Sequence, residues 1–403
     1  MYYKYRLQKK QVSTDSGVTW IDVSPLETRK GSVVGTYNTY SECISGTPEP
    51  PTPSGDLSKP LTLEIVSAGT ICFSWGEYSI DNGATWNSVY TAHEATLNLN
   101  VGDKVLLRGD RSQNPHMYRV ITQNSTAYYK VYNNFNSMIT PVGFENITTL
   151  QYGYSNAFSN TNVVDASGLL LPCTTLTVNQ CYMDMFAGCS SLVTPPALPA
   201  TTLSQDCYRG MFGSCTNLTS APALPATTLA DFCYTSMFYR CSSLTTAPEL
   251  PATTLADFCY LQMFYGCTSL QTAQQILPAT TLTDSCYNRM FYGCTRLATA
   301  PELPATTLTY SCYAFMFAGC TSLTTAPDLP APTLAERCYY ELFNGCTSLN
   351  YIKCLATDIS ANQCTWYFTS HVASSGTFVK AASMRSWQRN SDGIPTGWTV
   401  QNA

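Results

Sequence analysis

LPATTLADFCYLQMFYGCTSL, residues 250–270, decides how the second half of the chain folds, because close copies of it recur on both sides. Cysteines stand at 181, 207, 233, 259, 286, 312, 338 and 364, in steps of 26 broken by a single step of 27. A second column, at 189, 215, 241, 267, 294, 320 and 346, runs eight residues behind the first. The longer step has its source in QTAQQILPATTL (271–282), which carries one extra residue near Gln274 and Gln275. Seven units are nearly complete, and a repeat of fixed period governs the fold ahead of any local propensity.

Within one unit, a rotation of about 100° per residue from Cys259 gathers Leu255, Ala256, Cys259, Tyr260, Met263 and Phe264 on one arc. Asp257, Phe258, Leu261, Gln262 and Tyr265 fall on the other. This pattern predicts an amphipathic helix of about three turns, started by Thr254 and Asp257 as a capping pair and ended at Gly266. The proline-bearing segment that follows, as in CTSLTTAPDL (320–329), predicts a short strand. Such a unit cannot bury its own apolar face, but stacked copies can. The expectation is a curved α/β solenoid over residues 166–375, closed by a cap at 376–403. The aromatic residues Trp366, Tyr367, Phe368, Trp387 and Trp398 are expected to cover the end of its core.

Upstream, the chain reads as multidomain and all-β. Residues 1–46 alternate polar and apolar positions as a few strands do. Residues 47–60 hold Pro48, Pro50, Pro51, Pro53 and Pro60 and predict a stiff linker. Residues 61–131, with LTLEIV, TICFSW, TLNLNV and KVLLRG, predict a small β-sandwich-like domain. Residues 132–165 are less regular and are expected to form the junction that caps the repeats.

Composition narrows the function. Charged residues are 12% of the 403 and the net charge is −5, so there is no electrostatic case for nucleic acid. Polarity comes from Thr, Ser, Asn and Tyr, which suits extracellular or virion surfaces and contact with carbohydrate. No run approaches the roughly 18 apolar residues of a membrane span, so membrane insertion is not expected. MYYKYRLQKKQVSTD is not followed by the apolar stretch of a secretory signal, so export by the standard route is not expected either.

The cysteines pose the question of disulfides or metal. Eight residues along a helix span about 12 Å, neighbouring helices pack about 8–10 Å apart, and a disulfide needs Cα atoms within about 7 Å. No C-x-x-C occurs and the histidines are only His93, His116 and His371, so zinc has no ligand set. Cys181, Cys189, Cys207, Cys215, Cys233, Cys241, Cys259, Cys267, Cys286, Cys294, Cys312, Cys320, Cys338 and Cys346 therefore read as a buried ladder of free thiols. No metal and no cofactor is expected.

Asp206, Asp231, Asp257 and Asp284 recur once per unit, as helix caps would, and Glu249, Glu302 and Asp328 recur beside proline. No carboxylate pair is set apart as glycoside hydrolysis requires, and no nucleophile triad or phosphate loop stands out. A catalytic function is not expected.

The varying positions carry more. The residue before each Gly-Cys or equivalent step is Ala187, Gly213, Tyr239, Tyr265, Tyr292, Ala318 and Asn344. Tyr239, Tyr265 and Tyr292 thus predict an exposed aromatic stripe able to stack on sugars or dock a partner. Leu261, Gln262, Asn288 and Arg289, at the freely varying pair after Cys-Tyr, are expected to flank it.

MFYGCTSL (263–270), MFAGCTSL (316–323) and LFNGCTSL (342–349) resemble the BspA-like leucine-rich repeats of bacterial surface proteins. That resemblance covers roughly residues 166–375, although the LPATTL insert makes these units longer, and it implies adhesion to protein or glycan without enzymatic activity. STDSGVTW (13–20) and SIDNGATW (79–86) resemble Asp-boxes, which are structural hairpin turns. The resemblance implies that Asp15 and Asp81 accept backbone hydrogen bonds, that Gly17 and Gly83 take positive φ, and that Trp20 and Trp86 pack. The tail GTFVKAASMRSW…GIPTGWTV resembles the ends of repeat proteins from gut bacteria and their phages.

The expectation is a virion-surface adhesin or fibre. Its N-terminal β-domains would contact other virion proteins and its solenoid a host protein or glycan, with self-association left open. A bacterial cell-surface adhesin and a polysaccharide-degrading tailspike are the alternatives.

Overall fold

The computed structural model describes residues 55–89, 94–111, 119–385 and 387–403, together with backbone strands within 2–37. Residues 1–54 and 55–403 form two compact units. In the first, β1 (Tyr2–Arg6), β2 (Lys9–Ser13), β3 (Ile21–Val23) and β4 (Thr36–Tyr37) make an antiparallel sheet in the order β3-β2-β1-β4. The first Asp-box, with Asp15, Gly17 and Trp20, lies outside the described residues, as does most of the proline-rich linker. Packed structure resumes before residue 60: the Asp56 amide donates to Asn133 Oδ1 at 3.0 Å, and Pro60 bridges Asn134.

The second unit opens with β5 (Leu61–Ser67), β6 (Gly69–Phe73), β7 (Glu77–Ser79), β8 (Asn87–Ser88), β9 (Ala95–Leu99), β10 (Lys104–Arg108) and β11 (Tyr128–Asn134). Next come β12 (Thr149–Leu150), β13 (Val163–Leu170) and β14 (Thr175–Leu176). The main sheet has the order β13-β11-β5-β10-β7-β8, and β6 pairs with β9. Along β11, exposed Tyr128 and Lys130 alternate with buried Tyr129 and Val131, the period of two that a half-buried strand requires. The sheet does not stop at residue 131, because β13 adds to β11 in parallel and leads directly into the repeats. Buried Arg111 ties the two parts together. Its guanidinium lies 4.8 Å from the Tyr154 ring and donates to the Gly153 carbonyl at 2.6 Å.

The helix expected in each repeat is not there; no α-helix occurs among the described residues. From Ala256 to Cys267 the backbone is a ribbon of overlapping turns. The amides of Cys259, Leu261, Met263, Tyr265 and Cys267 each donate to the carbonyl three residues back. The amides between them, on Phe258, Tyr260, Gln262, Phe264 and Gly266, donate to Asp284, Cys286, Asn288, Met290 and Tyr292 of the next coil at 2.7–3.0 Å. Every fourth residue is left-handed: Phe258 and Gln262 at φ +56° and Gly266 at +70°. An α-helix has no such residues and bonds to the fourth residue back. The resemblance to a helix has a simple cause. Cys259, Tyr260, Met263, Phe264 and Cys267 point inward two-in, two-out with a period of four, which over so short a run fills the same arc as a period of 3.6.

The capping roles fall with the helix. Asp231 Oδ1 accepts the Asp257 amide (3.2 Å), Asp257 Oδ1 accepts that of Asp284 (3.1 Å), and Asp284 Oδ1 accepts that of Tyr310 (3.2 Å). These carboxylates tie coil to coil rather than start helices. Asp206 sits one place later in its own coil, at a left-handed position (φ +55°), and pairs with Arg209 at 3.2 Å.

The expected strand in each unit is also reduced. On the proline flank the coils meet through isolated bridges such as Thr228↔Thr254, Thr246↔Thr272 and Thr281↔Thr307. Prolines such as Pro248 and Pro251 have no N–H to offer, so a continuous ladder cannot form there. Continuous pairing is confined to the ends: β12 pairs with β14 in parallel at the N-terminal end, and at the C-terminal end β15 (Tyr351–Cys354), β16 (Thr377–Lys380) and β17 (Thr399–Asn402) make a parallel sheet.

Each coil buries one set of residues, exemplified by Leu250, Ala252, Leu255, Cys259, Tyr260, Met263, Phe264, Cys267 and Leu270. Like stacks on like. Tyr234, Tyr260 and Tyr287 follow one another at 5.9 and 5.6 Å, and Phe238, Phe264 and Phe291 at 5.5 Å each, with rings nearly parallel. The thiols between them are free and buried. They are more than filler: Cys267 Sγ donates to the Phe238 carbonyl one coil back at 3.0 Å, and Cys189, Cys215, Cys241, Cys294, Cys320 and Cys346 repeat that bond at 3.0–3.1 Å. The helix-packing distance set against bridging within a column does not apply, since neighbouring coils share backbone hydrogen bonds.

The array also begins earlier than expected. Tyr154, Asn156, Phe158 and Asn160 donate to Cys181, Met183, Met185 and Ala187, so the junction holds a first coil. At the other end Phe368, Trp387 and Trp398 are buried over the last coil, as a cap requires, but Trp366 and Tyr367 are 47% and 48% exposed and do not cover it.

Candidate binding face

A two-in, two-out ribbon presents two outward residues in each group of four, and in-register stacking turns each position into a column along the array. One column carries Tyr239, Tyr265 and Tyr292, all half-exposed. Their ring centroids are 5.0 and 4.6 Å apart, with interplanar angles of 21° and 2°. The structure therefore brings the three predicted tyrosines into one continuous stack.

The flanking residues divide. Leu261 and Gln262 are half-exposed, and Gln262 Oε1 accepts the Ser236 hydroxyl at 3.3 Å. Asn288 is buried, and its Oδ1 accepts from Arg289. The Arg289 guanidinium lies 4.0 Å above the Phe315 ring and leads into a second aromatic tract. There Phe315 and Tyr340 stand 5.1 Å apart, Trp366 and Tyr367 lie within 6.5 Å of Tyr340, and exposed Tyr310 accepts from Arg337.

A third feature was not anticipated from sequence. Phe232 and Phe258 stack at 4.7 Å although both hold left-handed backbone, at φ +56°. Bulky residues avoid that region, and here the inter-coil ladder holds them in it.

Beside Tyr239 the face sinks into a groove of about 450 Å³. It exists because the tyrosine column stops: the same position is Gly213 one coil earlier and Ala187 before that. Two polar side chains lie along its floor. A Cβ on Gly210 would fall 2.0 Å from Asp184 Oδ1, and one on Gly188 would fall 2.2 Å from Asn160 Oδ1. The two glycines are thus the space those side chains occupy. Burial pushes the Asp184 carboxyl above its ordinary value, with the Arg209 guanidinium opposing. The Gly213 break is legible in the sequence; the convergence of Asp184 and Asn160 is not, because it depends on the four-residue period.

The remaining sequence candidates lie away from this groove. In the second Asp-box, Asp81 accepts from the Thr85 amide (2.9 Å), the Thr85 hydroxyl (2.5 Å) and the Ser79 hydroxyl (2.7 Å). Those bonds hold its carboxyl near 2. Gly83 has φ +90°, and Trp86 lies under the Arg108 guanidinium at 4.0 Å. Asp328 pairs with Lys353 at 2.5 Å, and Glu302 bonds to its neighbouring coil through its backbone. Among the described residues no cluster of His, Cys, Asp and Glu could hold a metal ion.

No known protein family and no curated protein matches the chain. Among solved structures, a leucine-rich repeat protein from Bacteroides ovatus is similar at 18% identity, over 60% of this chain and 67% of that one, with a TM-score of 0.27. The stacked Tyr, Phe and Cys columns themselves define a mostly-β repeat protein with few helices.

Proposed function

We propose that the protein is a non-enzymatic adhesin or fibre of the BspA-like leucine-rich-repeat kind, displayed on a virion surface, that holds a host-surface protein or glycan on its turn face. The observation that carries this reading is the half-exposed stack of Tyr239, Tyr265 and Tyr292. Rings fixed by a backbone ladder lose little freedom on binding, and aromatic faces suit sugars and partner side chains alike. Buried free thiols fit assembly in a reducing cytoplasm. The non-enzymatic part is supported by the repeated acids: Asp231, Asp257 and Asp284 each bond the next coil's amide and none is set apart from the rest.

Retention of the full chain on intact bacterial cells and isolated envelopes tests the reading. The wild type should be retained, and the triple variant Y239A/Y265A/Y292A should lose at least about tenfold in affinity. Equal retention of the two would overturn it.

A further inference from the structure

We infer that the groove beside Tyr239 is a subsite for one pyranose ring of a neutral oligosaccharide, with the sugar taking the place in the aromatic column that Gly213 leaves empty. This rests on the binding-face reading and names its ligand class.

The geometry is that of an interrupted stack. One face of Tyr239 is covered by Tyr265 at 5.0 Å. Its other face looks toward the preceding coil, where Gly213 has no side chain. Coils joined by backbone hydrogen bonds repeat at about 4.7–4.9 Å, which is also the step between stacked rings, so a flat ring resting on Tyr239 continues the column in register. The C–H face of a pyranose meets the electron-rich face of tyrosine well.

Hydroxyl partners lie along the floor. Among the described residues no hydrogen bond reaches the Asp184 carboxylate, so its two oxygens can accept a vicinal diol, and Asn160 Oδ1 lies one coil further on. At the far edge Gln262 Oε1 is engaged by Ser236, which leaves the Gln262 amide N–H groups to donate. Asp184 is the one charged residue that lines the groove, among amides and hydroxyls. Arg209 beside it is paired with Asp206 and Arg240 packs 5.2 Å from the Tyr239 ring centroid, so the lining itself offers no cation to select an acidic sugar. The groove's 450 Å³ is the size of a small-ligand site and not of a protein interface.

The test measures binding of the full chain to a panel of soluble neutral gluco-, galacto- and manno-oligosaccharides, with G213Y, D184N and Y239A as variants. G213Y is the sharpest, because tyrosine fills this column on the next three coils and Gly213 has no left-handed φ. A Cβ there meets the Gly210 carbonyl at 3.2 Å, a strain a small backbone shift absorbs. G213Y should melt like the wild type yet bind at least about tenfold more weakly, because its own ring fills the slot. D184N and Y239A should each lose a similar factor.

No binding to any oligosaccharide, or undiminished binding by G213Y, would overturn the subsite. Periodate treatment of envelopes separates the two readings. If glycan oxidation leaves retention intact while Y239A/Y265A/Y292A still abolishes it, the subsite fails and the binding face stands. If the triple variant is retained like the wild type, both fail.

Discussion

The two flanks of each coil are held by different means. On the turn flank every second amide from Phe258 to Gly266 bonds to the next coil, so register is set by backbone. On the proline flank isolated Thr bridges are joined mainly by the packing of Leu250, Ala252, Leu255 and Leu270. The extra residue of the 27-residue step falls on this second flank. There Gln274 seals it, accepting the Leu250 amide at 2.5 Å and donating to the Ile276 carbonyl at 2.6 Å, while the ladder from Phe258 to Asp284 runs on undisturbed. Register held by hydrogen bonds tolerates no insertion; register held by packing does.

The contrast can be broken most severely by deletion. Removing Leu261 shifts every later residue of the ribbon by one, turning Met263 and Cys267 outward and Tyr265 and Thr268 inward, and should abolish cooperative folding. Removing Gln275 restores the 26-residue step and should leave a folded chain, with circular dichroism and thermal melting as the readouts.

Alkali should attack the turn flank next. Burial pushes the thiols of Cys233, Cys267, Cys312 and Cys346 from the ordinary 9.0 up to about 12. The folded chain keeps these protons where the unfolded chain has lost them. Stability is therefore full below pH 9 and falls as pH rises toward 12, by about 1.4 kcal/mol per pH unit for each thiol. Denaturant midpoints should drop steeply above pH 9; a flat profile to pH 11 would contradict the burial of the ladder.

Phe264→Ala opens a void between two stacked rings and should cost about 3–5 kcal/mol in equilibrium unfolding. The smallest contrast lies between the two thiol columns. Cys267 donates to a carbonyl at 3.0 Å, so a serine hydroxyl there inherits an acceptor. The Cys259 thiol makes no such bond, and C259S should be the more costly of the two by about 1–2 kcal/mol. Equal costs would mean that the sulfur–carbonyl bonds contribute nothing.

Much of this architecture is written in the sequence. The period, the inward set around Cys259 and the tyrosine stripe follow from the columns alone, and the early coil is visible as the Tyr154-x-x-x-Phe158 spacing that the next seven units repeat, as Tyr260 and Phe264 do. The turn ribbon is hidden because its period of four mimics a helix over one unit. Its left-handed positions are disguised as well: glycine marks one column repeatedly, at Gly188, Gly266, Gly293, Gly319 and Gly345, and a second column once, at Gly210, while Phe258, Phe315 and Arg337 hold the same geometry without announcing it. The groove is half legible for the same reason. Gly213 breaks a readable column, whereas Asp184 and Asn160 reach it only once the ribbon is known.

Hydrogen–deuterium exchange resolved to single amides tests the inter-coil ladder most directly. The amides of Phe258, Tyr260, Gln262, Phe264 and Gly266 should exchange only with global unfolding, while those between Thr245 and Thr253 on the proline flank exchange faster through local opening. Uniform protection around the whole coil, or a fast-exchanging stretch from 258 to 266, would contradict it.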